Sequence, residues 1–144
     1  MNEAHNRILL FIHVICITVE RKPLLKKPVL AILSAFIKKN AEEKGIKVLI
    51  AQGAEDHLHL LIQLHSAQNL LQVVRSIQKD SADWLNGTTL IASGFEWEQE
   101  YAAYSVSPSG VKQVIDFLNK QEEYHKTKTL ENELAVFDTN YKTG

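Results

Sequence analysis

The stretch Asp56-His57-Leu58-His59-Leu60-Leu61-Ile62-Gln63-Leu64 holds the residue types and spacing that point most directly to chemistry in this 144-residue chain. In an extended strand successive side chains take opposite faces. Leu58, Leu60, Ile62 and Leu64 therefore point one way, into a core, while His57 and His59 point the other, their Cβ atoms about 7 Å apart. Two imidazoles at that spacing can converge on one cation, and neutral imidazole is a common ligand for first-row divalent metals. Asp56, directly before the pair, is placed to orient a ligating histidine. The same pattern also fits the polar face of a half-buried strand that binds nothing, so the histidine pair alone leaves both readings open. A structural zinc site is disfavoured, because Cys16 is the one cysteine in the chain.

A second set of residues lies near the C-terminal end. Ser107-Pro108-Ser109 supplies a cap and an early proline for a helix over about residues 109–125. At roughly 100° per residue, Val111, Val114, Ile115 and Leu118 form one apolar face. Phe117, Gln121 and Tyr124 form a neighbouring stripe at i, i+4 and i+7, which is placed to face a site rather than the core. The carbonyl oxygen of Gln121 could complete a metal site with the two histidines and leave positions open for a phosphate.

The remaining elements must hold these residues in place. Residues 8–20 are β-branched and aliphatic, which predicts a strand. Arg21 to Pro28 reads as a loop, and Val29, Leu30, Leu33, Phe36 and Ile37 recur at helical spacing up to a stop at Gly45. A short strand over Ile46–Ala51 precedes a strand over His57–His65. Leu70, Leu71, Val74, Ile77, Trp84 and Leu85 predict a second amphipathic helix ended by Asn86-Gly87. Phe95 to Val106 reads as one strand or two, and Leu130 to Phe137 as a short terminal helix before a tail. The order β-α-β-β-α-β-α fits an α+β, ferredoxin-like (RRM-like) sandwich, an antiparallel sheet with helices packed on one face. That fold hosts many functions and decides none of them.

Composition sets the outer bounds. With 45% hydrophobic and 23% charged residues, the chain reads as a single soluble domain over residues 1–144. The longest apolar run, Ile8 to Val19, is broken by His13 and Thr18. It is too short for a membrane span and has no cleavage site after it, which predicts a cytoplasmic protein with a buried, reduced Cys16. The net charge of −1 argues against a nucleic-acid binder only by its total. Basic pairs occur at Arg21-Lys22, Lys26-Lys27 and Lys38-Lys39, with Lys126 and Lys128 further on, though such pairs are equally the solvated ends of helices and loops. His13 reads as a satisfied core or sheet-face residue, His65 as peripheral, and Trp97, Tyr101 and Tyr104 as core and interface aromatics.

Taken together, the strand from Asp56 to Leu60, the segment Phe95 to Ser107 and the segment Phe117-Leu118-Asn119-Lys120-Gln121-Glu122-Glu123 resemble the single-tyrosine HUH transposases of small bacterial insertion sequences, including the REP-associated tyrosine transposases. The likeness runs from about residue 10 to residue 134, with the motifs in the family's order. It implies that His57, His59 and Gln121 hold Mg²⁺ or Mn²⁺. It further implies a homodimer, a hairpin or single-stranded DNA partner, and strand cleavage and joining through a phosphotyrosine. Arg21, Lys22, Lys26, Lys27, Lys126 and Lys128 are the candidate phosphate contacts.

The family's nucleophilic tyrosine stands four residues before the glutamine, and here that position is Phe117. Phenylalanine keeps the shape of the ring but has no oxygen with which to attack phosphorus. The chain is then an engineered variant, a decayed or domesticated copy that binds DNA without cutting, or a protein in which Tyr124 substitutes. Two helical turns, about 10.5 Å, separate Tyr124 from Phe117, a long way for a step that requires near contact. Two further readings stay open at this point. One is a non-catalytic nucleic-acid-binding protein or repressor derived from a transposase. The other is an unrelated metal-dependent hydrolase using His57, His59 and His125.

Overall fold

The structure is a computed structural model and describes residues 7–120 and Leu134. Its strands are β1 (Leu10–Thr18), β2 (Lys47–Gly53), β3 (His57–Leu64) and β4 (Trp97–Val106). Its helices are α1 (Lys27–Glu43), α2 (Leu70–Asn86) and α3 (Val111–Asn119), with single 3-10 turns at Val19–Arg21 and Pro108–Gly110.

Local sequence accounts for the helix bounds. Pro28 sits in the first turn of α1, where a missing N–H costs nothing, so the helix begins inside the stretch read as a loop. Val29, Leu33, Ile37 and Ala41 are buried at four-residue spacing along one stripe. Gly45 takes the left-handed φ of 75° that ends the helix, and the Ile46 N–H returns to the Ala41 carbonyl at 2.8 Å. At the start of α2 the side chain of Asn69 accepts from the Gln72 N–H, and Gly87 closes the far end on Asp83.

The four strands form one antiparallel sheet in the order β2-β3-β1-β4. β1 and β2 are not neighbours, nor are β3 and β4, so α1 and α2 are each a crossover between strands that skip a place. Such crossovers are right-handed, which carries both helices to the same face. There they cover Val14, Cys16, Leu58, Leu60 and Ile62, and Phe36 of α1 stacks on Trp84 of α2 with ring centroids 4.5 Å apart. This is the ferredoxin-like α+β arrangement expected from the element order.

α3 follows the last strand, is not a crossover and is not bound by that rule. It lies against the opposite face, where Leu118 joins Ile50, Leu61 and Val106, flanked by Val111, Val114 and Ile115. Those four α3 residues are the apolar face expected from the sequence. Of the expected span of 109–125, residues 121–125 lie outside the described residues. The helix starts after the 3-10 turn, ends at Asn119, and the Lys120 N–H closes it on the Phe117 carbonyl at 3.1 Å. The expected terminal helix over Leu130–Phe137 lies outside the described residues except for Leu134. β4 is one continuous strand.

The β2–β3 turn brings the histidine pair into the sheet. A Cβ at Gly53 would lie 2.3 Å from the His57 carbonyl oxygen, while the next residue, Ala54, donates its N–H to that oxygen at 3.0 Å. The chain can reverse this tightly because residue 53 has no side chain.

Candidate functional site

β3 and β1 are the two central strands, and their register decides what meets the histidines. Ile17 stands opposite His57, Ile15 opposite His59, and His13 opposite Leu61. His13, Ile15, Ile17, His57, His59 and Leu61 therefore share one face, with Tyr104 of β4 beside His13 and Gln52 of β2 beside His59. This is the face that α3 covers. His13, His57 and His59 are each at most 1% exposed.

Each histidine of the pair has its Nδ1 held. His57 donates Nδ1–H to Asp56 Oδ1 at 2.7 Å. A carboxylate can only accept, so this bond fixes the proton on Nδ1 and the lone pair on Nε2. The bond from His57 holds the Asp56 carboxyl below its usual range, aided by the Arg21 guanidinium, whose Nη2 lies 3.5 Å from Asp56 Oδ2. His59 Nδ1 lies 2.8 Å from His13 Nε2. The His57 and His59 rings are 5.1 Å apart at 75°, and Nε2 is the nitrogen that His57 can turn toward a cation, as His59 can when its proton sits on Nδ1. The pair thus fits a divalent metal that takes mixed N/O donors. Among the described residues no cluster of three or more His, Cys, Asp or Glu side chains could hold a metal alone. Gln121, the third ligand that the resemblance implies, lies outside the described residues.

Phe117 is half-buried on α3 and packs against Ile15, the residue paired with His59, in a cluster with Ile17, Ala102, Tyr104 and Leu134. The expected nucleophile position therefore stands over the face that carries the histidines. Gln121, Tyr124, Lys126 and Lys128 lie outside the described residues, as does His125.

The basic loop is arranged in pairs. Arg21 meets Asp56, Lys22 Nζ lies 3.3 Å from Glu20, and Lys26 Nζ lies 3.0 Å from Glu55. Lys27 is exposed at the start of α1. Exposed pairs of this kind contribute about 0–1 kcal/mol, so they are readily exchanged for phosphate contacts. Glu20 and Arg21 both have left-handed backbones, φ 54° and 56°, a conformation that costs a non-glycine residue about 1–2 kcal/mol. Two contacts hold the turn: Glu20 N–H donates to Glu98 Oε2 at 2.6 Å, and Thr18 Oγ1 donates to the Lys22 carbonyl at 2.8 Å. Thr18 also donates its backbone N–H to the Asp56 carbonyl at 3.0 Å. The strained turn and the residue that orients His57 are thus tied to one buried threonine.

Sequence reasoning left one member of this constellation out. His13 reads from the sequence as a satisfied core or sheet-face residue, and it has a partner, His59 of β3. The signal was the β1–β3 register, which sets His13 diagonal to His59 on one face. His65 is exposed beyond β3, and Trp97 and Tyr101 pack on the α1–α2 core, as expected.

Among the described residues no helix is long and apolar enough to cross a membrane. No curated protein matches the chain. Two solved structures share the fold. A Deinococcus radiodurans R1 protein described as a transposase superposes with a TM-score of 0.65 at 20% identity, over 81% of this chain and 94% of its own. A REP-associated tyrosine transposase bound to a REP hairpin superposes with a TM-score of 0.60 at 13% identity, over 84% of this chain and 73% of its own. At such identities these are likenesses of fold. The family model described as "Transposase IS200 like" matches residues 6–121, most of the chain, and the chain belongs to that family.

Proposed function

We propose that this protein binds single-stranded DNA bearing a hairpin at the histidine face of its sheet, with a divalent metal, Mg²⁺ or Mn²⁺, held by His57, His59 and Gln121. The observation that carries the reading is the buried pair on β3, each histidine held through Nδ1, on the sheet face where Phe117 packs against Ile15. The hairpin partner is taken from the DNA-bound relative. When bound, the metal polarises a phosphoryl oxygen and neutralises charge that develops there. The protein's own part is to orient the two imidazoles and to place a ring at the nucleophile position. In family members with tyrosine there, the phenolic oxygen attacks phosphorus and strands are cut and rejoined. With Phe117 the chain binds and does not cut. A specific observation favours a second form of this reading, a repressor derived from a transposase: the ring is retained and its oxygen is absent.

Binding without cleavage is the test. A hairpin oligonucleotide with a single-stranded flank should compete better than a fully paired duplex, and the strand should remain intact. If Arg21, Lys22, Lys26 and Lys27 each meet a phosphate, the logarithm of the binding constant should fall with that of salt concentration at a slope of about −3. No binding, or binding insensitive to salt, would overturn the proposal.

The same reading takes the chain as a homodimer. β4 lies at the sheet edge, ten residues long and mostly not buried, and long open edges invite pairing. Sedimentation at micromolar concentration should give about twice the 16.3 kDa chain mass; a monomer alone would refute it.

A further inference from the structure

The two histidines of the pair are supported differently. His57 has an ionised carboxylate behind it, and the direction of that hydrogen bond is forced. His59 has a second histidine behind it, and imidazole can either donate or accept. The 2.8 Å contact between His13 Nε2 and His59 Nδ1 therefore has two possible arrangements. If His13 donates, the proton of neutral His59 sits on Nε2, and that nitrogen has no lone pair to give. If His59 donates, its Nε2 carries the lone pair, and His13 must keep its own proton on Nδ1. Only the second arrangement makes His59 a ligand.

We propose that His13 is a positioning residue for the metal site, accepting the Nδ1–H of His59 at its own Nε2 and so holding His59 in the tautomer, and the ring orientation, that a cation can use. The proposal rests on the metal-site reading above. Its physical basis lies in the fold. β1 and β3 are the central strands, and the register sets His13 diagonal to His59. Both residues are 0% exposed, with ring centroids 5.0 Å apart and planes 34° from parallel. Water therefore does not compete for the contact, and neither ring can swing out to solvent. His13 does for His59 what Asp56 does for His57, using a neutral acceptor where the other is charged. A partner of this kind typically changes metal affinity by about 10- to 100-fold when removed.

Two measurements test this. In metal-free protein at neutral pH, two-bond proton–nitrogen correlation of the imidazoles should show both His13 and His59 as Nδ1–H tautomers, the minority form of histidine in water. Finding His59 protonated on Nε2 would overturn the proposal. Mn²⁺ titration of the full chain followed by electron paramagnetic resonance gives the second readout. His13→Leu should bind Mn²⁺ about 10- to 100-fold more weakly than the parent. His13→Gln, whose Oε1 can accept where Nε2 did, should recover most of that loss. If His13→Leu does not fold, the comparison of His13→Gln with His13→Met, which has a similar length and no comparable acceptor, decides the matter. Parent-like affinity in a folded His13→Leu or His13→Met would refute the role of His13. The metal-site reading fails separately: it falls if the parent does not bind Mn²⁺, or if His57→Ala/His59→Ala binds it equally well.

Discussion

Phe117→Tyr is expected to form a covalent protein–DNA product with a cognate hairpin strand, in a metal-dependent reaction, where the unmodified chain forms none. The ring already stands on α3 against Ile15, whose backbone partner across the sheet is His59. The substitution adds one oxygen to a half-buried ring and removes no packing atom, so folding should be little changed. In the reaction the phenolic oxygen bonds to phosphorus, one phosphodiester P–O bond breaks, and the phenolic proton goes to solvent while the leaving strand oxygen gains one. The product survives denaturation and migrates as a slower band. It should disappear with chelator and with His57→Ala. Tyr124→Phe should change nothing in either background. An adduct from the unmodified chain that Tyr124→Phe abolishes would place the nucleophile elsewhere. No adduct from Phe117→Tyr, on DNA the protein binds, would mean that the site has lost more than one oxygen.

Cys16 should be inert in the folded protein and reactive once it unfolds. It lies on the core face of β1 beneath α1 and α2, 1% exposed. Burial pushes its thiol from 9.0 up to about 12, only partly opposed by the Gln78 side-chain amide, whose Nε2 is 3.8 Å from Sγ. Since the thiolate is the reactive form, at pH 8 that difference alone cuts the reactive fraction about 10³-fold, and occlusion slows the reaction further. A disulfide reagent such as DTNB should titrate one thiol per chain in denaturant and almost none in native buffer. The sign for stability follows from the same shift. A raised thiol pKa means that the fold favours the protonated form, so this contribution is complete below pH 9.0 and is lost as the pH climbs toward 12. A native reaction rate within tenfold of that in denaturant would show that β1 opens locally.

Much of the site was legible in the chain because it depends on short-range pattern. Period-two alternation with Leu58, Leu60 and Ile62 placed His57 and His59 on the face away from the main core, and adjacency made Asp56 the orienting partner of His57. Gly45 and Asn86-Gly87 marked helix ends because only local φ and capping matter there. The contact between His13 and His59 spans 46 positions and depends on a strand register that no local pattern encodes. The left-handed turn at Glu20 and Arg21 was also invisible, since a glutamate followed by an arginine gives no sign of positive φ. The apolar stripe of α3 could be read from its spacing. Which face of the sheet it covers could not, because α3, unlike α1 and α2, connects no pair of strands.

The position of the histidines on β1 and β3 has a consequence for how the site can change. Amide hydrogens on the two central strands should be among the slowest to exchange, released only when the whole domain unfolds. The backbone that carries the imidazoles belongs to that slow unit, whereas the helix that covers their face, α3, is not part of the α1–α2 core. Adaptation to a new DNA strand, by mutation or by motion, is therefore confined to parts that can open separately: α3, the turn at Glu20 and Arg21, and the loop ahead of α1. One half of the site is as durable as the fold, and the other half is where variation can accumulate.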